Sequence, residues 1–260
     1  MARFKVGIHT ITWNTFYKNY SLKDILWEMK EAGYDGVECY EPLSKMGPLG
    51  VFKMMIQEEG LQLAALSSNL SVVKDEKQEL DEIKEKVNYG SHFEVKNIIL
   101  WGGWMRDGLQ KNDAGYKALS KRLEGLSRYA SKFNIQIAFH PHLGTIIEDE
   151  RDILKLIEFS KSVKLCVDTA HLIAAGSDPC AVIKRHASII AHIHLKDWDP
   201  KTKDFVELGR GVLRNRIKDI LETLEAINYT NWIIVELDRT SRTPFESAKI
   251  SREFIKGVGY

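Results

Sequence analysis

Short apolar runs rich in β-branched and aromatic residues recur along the chain, at 4–9 (FKVGIH), 36–40 (GVECY), 61–66 (LQLAAL), 97–102 (NIILWG), 135–140 (IQIAFH), 164–168 (KLCVD), 191–195 (AHIHL) and 232–237 (WIIVEL). Runs of this length and composition predict buried strands. The stretches between them have helical spacing. In the clearest, Tyr116, Leu119, Leu123, Leu126, Ala130 and Phe133 follow three-then-four steps and fall on one helical face, which would cover a sheet. Boundary residues agree: Ser21 is placed to cap a helix that Gly33 ends, and Thr243-Pro244 opens another with proline in its first turn. Repeated strand–helix units with no linker between them predict α/β architecture, a single (β/α)8 TIM barrel spanning residues 1–260 as one domain. An open doubly wound sheet is the alternative, but GIHTITW stands after the first strand where a glycine-rich phosphate turn would be needed.

Composition narrows the partners. Acids and bases nearly balance, leaving a formal charge of +1. That balance offers no electrostatic footprint for nucleic acid or a membrane surface, and points to a small, uncharged or singly charged molecule. No apolar run reaches membrane-spanning length and no signal-like segment opens the chain, so a cytoplasmic location is expected. Cys39, Cys166 and Cys180 lack C-x-x-C spacing, which argues against a disulfide framework or zinc knuckle. Many barrels pair through their helices, so a homo-oligomer is left open.

In a TIM barrel the chemistry sits at the C-terminal ends of the strands. The residues closing the later runs are His140 and His142, then Asp168 and His171, then His192, His194, Lys196 and Asp197, then Glu236. Each has an ordinary structural reading: a strand-end aspartate commonly caps the next helix, and a lone histidine is commonly hydrogen-bonded and inert. Four consecutive strands ending in such residues shift the balance towards a shell of imidazoles and carboxylates around a divalent metal.

DTAH at 168–171, HIHLKD at 192–197 and VEL in the last run resemble the xylose-isomerase-like barrel superfamily, which includes sugar isomerases and epimerases and the endonuclease IV fold. Its usual ligands imply metal binding by Asp168, His194 and Glu236. The superfamily's fifth-strand glutamate is absent, and His140 stands in its place. FHPHLGT, DTAHL and AHIHLKD together resemble the inosose dehydratase branch, which makes His140 a ligand and turns His142 towards substrate.

With imidazole in place of a carboxylate the site carries one less negative charge, which favours Mn2+ or Co2+, with Fe2+, Zn2+ and Mg2+ also in range. A metal-polarised carbonyl acidifies the adjacent C–H, and His142, His171 and Lys196 are candidates for base and acid, their roles undivided. Lys196 has a second reading, as charge partner of Asp197 or of a substrate hydroxyl. Glu38, Trp101 and Glu148 are candidate substrate contacts; by the same resemblance Glu38 could equally be a structural carboxylate, and Glu148 could simply favour a helix N-terminus. Trp101 and Trp104 could form an apolar wall or simply pack the barrel rim, and the ELGRG loop at 207–211 could offer backbone amides to a ligand or be a turn with no ligand.

The expected activity is therefore a metal-dependent lyase that removes water from a polyhydroxylated ketone, a keto-cyclitol or keto-sugar. The alternatives are β-elimination of an aglycone from a 3-keto-glycoside, sugar isomerisation or epimerisation, and a non-enzymatic sugar-binding barrel. An endonuclease-like role would need more metal ligands and a basic surface.

Overall fold

The computed structural model describes residues 4–72 and 76–260, with the side chains of residues 15–19 and 76 outside the description. Its strands in chain order are β1 (Val6–His9), β2 (Gly36–Cys39), β3 (Gln62–Leu70), β4 (Asn97–Gly102), β5 (Gln136–Phe139), β6 (Lys164–Asp168), β7 (Ile190–Leu195), β8 (Asp197–Asp199), β9 (Asp204–Val206) and β10 (Ile233–Val235). All except β8 and β9 form one closed parallel barrel in the order β1-β10-β7-β6-β5-β4-β3-β2. The eight barrel strands coincide with the eight apolar runs, so the periodicity located the barrel; the doubly wound alternative is set aside. By internal contacts the chain divides into two compact units, the segment up to Ala65 together with Ile193–Tyr260, and Leu66–His192.

In the first unit, β1 pairs with β2 and with β10, bringing His9 opposite Glu38 and Ile8 opposite Val235. Ile8, Val37, Ile233 and Ile234 are buried together with Ile25, Leu26 and Met29 of the helix Leu22–Glu31. Ser21 caps that helix in a reciprocal box with Asp24, and Gly33 follows with φ 89°, as its position past the helix end requires. Thr243 caps Pro244–Gly257 in the same manner, with proline in the first turn.

In the second unit, β4 pairs with β3 and β5, and β5 with β6. The helix Asp113–Ala130 buries Tyr116, Leu119, Leu123, Leu126 and Ala130, the face that the spacing predicted. Phe133 falls outside it: the helix ends at Ala130, and Phe133 lies in a following 3-10 turn closed by Asn134 at φ 57°. β3 runs four residues past its apolar run, because Ser67–Leu70 continue the ladder onto Ile99–Gly102. At the end of β4 only glycine fits position 102, where φ is 146° and a Cβ would collide with the Leu70 carbonyl oxygen.

The antiparallel pair β8–β9 has no counterpart among the predicted strands. It is too short and polar to register as an apolar run. Its cross-strand partners are Trp198 and Phe205, whose rings lie 5.2 Å apart. Among the described residues no helix is long and apolar enough to cross a membrane.

Candidate active site

In the first unit, the candidates Glu38, His194 and Glu236 meet a further residue, His9, at the C-terminal ends of β1, β2, β7 and β10. His9 closes β1, Glu38 lies in β2, His194 lies in β7 opposite Ile234, and Glu236 follows β10. All are buried, with Glu38 fully so. His194 Nε2 lies 3.1 and 3.2 Å from the two oxygens of Glu38, and its Nδ1 lies 2.6 Å from Glu236 Oε2. His9 joins from the other side, with Nε2 3.4 Å from Glu38 Oε1, while its Nδ1 accepts the Ile11 N–H at 2.9 Å.

The donor set fits a metal. If Nε2 of His194 carries the proton that Glu38 accepts, Nδ1 presents a lone pair to a carboxylate oxygen 2.6 Å away. Two acceptors at that separation repel unless a proton or a metal ion lies between them.

Lys196, on the same face of the chain as His194, is fully buried. Its ammonium donates to Glu236 Oε1 at 2.8 Å and to Asp238 Oδ1 at 2.6 Å, and sits 4.0 Å from the centre of the Phe205 ring. Burial alone would raise the Glu236 carboxyl; the Lys196 ammonium and then His194 outweigh it and hold the group well below the usual carboxylate range. Asp238 moves the other way, pushed up by burial and by the Glu236 charge against the pull of Lys196.

Asp197 is not the partner of Lys196. Its Oδ1 accepts the amides of Trp198 and Leu213, at 2.8 and 2.9 Å, and its Oδ2 those of Gly209 and Gly211, at 3.1 and 2.9 Å. Of the two readings of the ELGRG loop this favours the ligand-free turn: the amides of Gly209 and Gly211 are directed at a buried carboxylate of the chain itself and organise the loop.

In the second unit the residues after β5 and β6 converge. Asp168 ends β6 and divides its carboxylate: Oδ1 caps the helix Thr169–Ala174 by accepting the amides of Ala170 and His171, both at 2.8 Å, and Oδ2 lies 3.3 Å from His140 Nε2. One oxygen thus serves as the helix cap, and the other faces His140. His140 is placed by its backbone, which continues the β5 ladder with a 2.8 Å bond to the Leu100 carbonyl.

The His142 and His171 rings pack at a tilt with centroids 3.9 Å apart, and His171 stands edge-on to His140 at 5.2 Å. Leu143 separates their tautomers. Its carbonyl accepts from His142 Nδ1 at 2.7 Å, and its amide donates to His171 Nδ1 at 3.2 Å. A carbonyl only accepts and an amide N–H only donates, so neutral His142 keeps its lone pair on Nε2 and neutral His171 carries its proton there.

The expected substrate contacts are distributed unevenly. Glu38 has both oxygens turned to His194. Glu148 accepts the Gly144 amide at 2.5 Å and the Lys111 ammonium at 2.7 Å, which pins the turn that carries His142. Trp101 is only partly buried on β4, opposite Asn69. The aromatic that meets the histidines is Trp104, 5.1 Å from His142, its indole N–H held by Asn69 at 2.6 Å. Asp238 and Phe205 escaped sequence reasoning. Asp238 directly follows the VEL motif, and that adjacency was the available signal; Phe205 lies on an element that apolar periodicity does not reveal.

Residues 27–258 match the family model for the xylose isomerase-like TIM barrel. An inosose dehydratase of Clostridium beijerinckii is 27% identical, the match covering 98% of this chain and 97% of the relative. Among solved structures, the IolI protein with a bound zinc atom superposes with a TM-score of 0.80 at 20% identity, covering 98% of both chains. The probable 3-DHS dehydratase AsbF of Bacillus anthracis superposes with a TM-score of 0.79 at 15% identity, covering 97% of this chain and 99% of the other. With nearly the whole chain matched by the family model and an eight-stranded parallel barrel in the structure, the chain belongs to the xylose isomerase-like TIM barrel family.

Proposed function

We propose that this protein is a divalent-metal-dependent lyase that removes water from a keto-cyclitol or keto-sugar, with His140, Asp168, His194 and Glu236 as the metal-holding residues. The observation that carries the reading is the 2.6 Å approach of His194 Nδ1 to Glu236 Oε2, a confrontation of donor atoms suited to a cation. The near full-length similarity to an inosose dehydratase supports the substrate class, and the IolI protein's zinc supports a divalent ion.

A divalent ion held by these residues would supply Lewis acidity to a substrate carbonyl and so make the adjacent C–H more acidic. The chain's own residues supply the proton transfers. His142, with its lone pair on Nε2, is in the form that removes a proton; His171, with Nε2–H, is in the form that delivers one to a departing hydroxyl. Lys196 holds Glu236 by one oxygen and so directs the other towards His194. The Trp104 ring offers an apolar wall beside His142.

Proton NMR of Mn2+-loaded and chelated protein with scyllo-inosose in D2O tests the proposal. Metal-dependent conversion to an enolic diketone is the expected result. Deuterium exchange next to the carbonyl without elimination would transfer the assignment to isomerisation, epimerisation or the aglycone elimination; no exchange at all would remove inosose as substrate.

A further inference from the structure

We infer that Glu38 is a positioning residue, the carboxylate that fixes which nitrogen of His194 faces the metal, and that His9 in turn fixes Glu38. The inference rests on the proposal that His194 is a metal ligand. Glu38 has no exposure to solvent, so its charge serves the buried groups around it.

Both of its oxygens lie within hydrogen-bond distance of His194 Nε2, at 3.1 and 3.2 Å. A carboxylate only accepts, so Nε2 must carry a proton and Nδ1 is left as the metal-facing nitrogen, on the side of Glu236. The same logic runs one residue further. His9 Nδ1 accepts the Ile11 amide, which places the His9 proton on Nε2, 3.4 Å from Glu38 Oε1. Register makes this exact placement possible, since His9 and Glu38 are direct neighbours across β1 and β2. Two imidazole N–H groups thus converge on one buried carboxylate, holding it against rotation. Without Glu38, the His194 ring could turn over or take its other tautomer, and either change withdraws Nδ1 from the metal.

Metal affinity and tautomer together test this. Mn2+ titration followed by electron paramagnetic resonance should show Glu38→Gln binding about 10–100-fold more weakly than wild type, with Glu38→Asp recovering part of the loss. His9→Asn should weaken binding less than Glu38→Gln. In wild-type protein carrying 15N-histidine and Zn2+, the His194 signals should report metal on Nδ1 and a proton on Nε2, a readout that needs no variant to fold. Zinc on Nε2 would overturn the inference, as would wild-type Mn2+ affinity in Glu38→Gln when His194→Ala has lost it. Wild-type affinity in His194→Ala would instead remove His194 as a ligand, and the inference with it.

Discussion

His142 and His171 pack with their tilted rings 3.9 Å apart between centroids, yet the residue Leu143 holds them in opposite tautomers, one with an unprotonated Nε2 and one with Nε2–H. A single residue's carbonyl and amide therefore distinguish two side chains of the same type, and the first prediction follows from that distinction.

His142→Asn and His171→Asn should each lower kcat by about 10²–10⁴-fold, the range for losing a general base or acid. They should differ in D2O. The His142 variant should lose deuterium incorporation next to the carbonyl, whereas the His171 variant should keep incorporation and lose elimination. Loss of incorporation in the His171 variant alone would exchange the two roles.

Asp168 should separate stability from metal binding. Asp168→Asn keeps an oxygen that can cap Thr169–Ala174, so melting should change little while Mn2+ affinity falls at least about tenfold. Asp168→Ala should lose affinity and, in addition, about 1 kcal/mol of stability from the vacated cap. Calorimetry beside metal titration distinguishes the two effects.

Asp197 is expected to matter through the loop it organises. Its carboxylate satisfies the amides of Trp198, Gly209, Gly211 and Leu213. Asp197→Ala leaves these without their acceptor and should destabilise the protein by about 2–4 kcal/mol in denaturant unfolding. Equal stability of the variant would show that water replaces the carboxylate in the loop.

Glu124 gives a pH signature remote from the site. Burial would raise its carboxyl, but the Ser160 hydroxyl and the amides of Ser162 and Lys161 outweigh that and bring it from 4.5 to about 2. A carboxyl depressed in the folded state contributes stability that is fully present above 4.5 and is lost as pH falls towards about 2. Thermal melts should show wild type more stable than Glu124→Gln above that range, the two converging at its acid end. A difference independent of pH would argue that packing, not charge, holds the Ser160–Ser162 turn.

The apolar runs and helical faces located the barrel because their periods of two and 3.6 residues are local properties, written into neighbouring positions. The same runs brought His140, Asp168, His194 and Glu236 into a longer group of strand-end residues, since a strand's end can be read from where its apolar residues stop; the resemblance to the family's motifs then singled out those four. What each polar atom meets was a different matter. Asp197 sits beside Lys196 in the chain and yet binds four backbone amides, while Lys196 reaches Glu236, 40 residues away. Glu38 and His194 are 156 residues apart, and no local pattern announces their hydrogen bond. Tautomers depend on single donors such as the Ile11 and Leu143 amides, whose directions are set only by the folded backbone. The sequence by itself determined the barrel and the residue types at its strand ends, through hydrophobic periodicity. Only the tertiary structure decided which oxygen caps, which nitrogen carries a proton and which carboxylate orients an imidazole, because those choices are made by hydrogen-bond partners that folding brings together from distant parts of the chain.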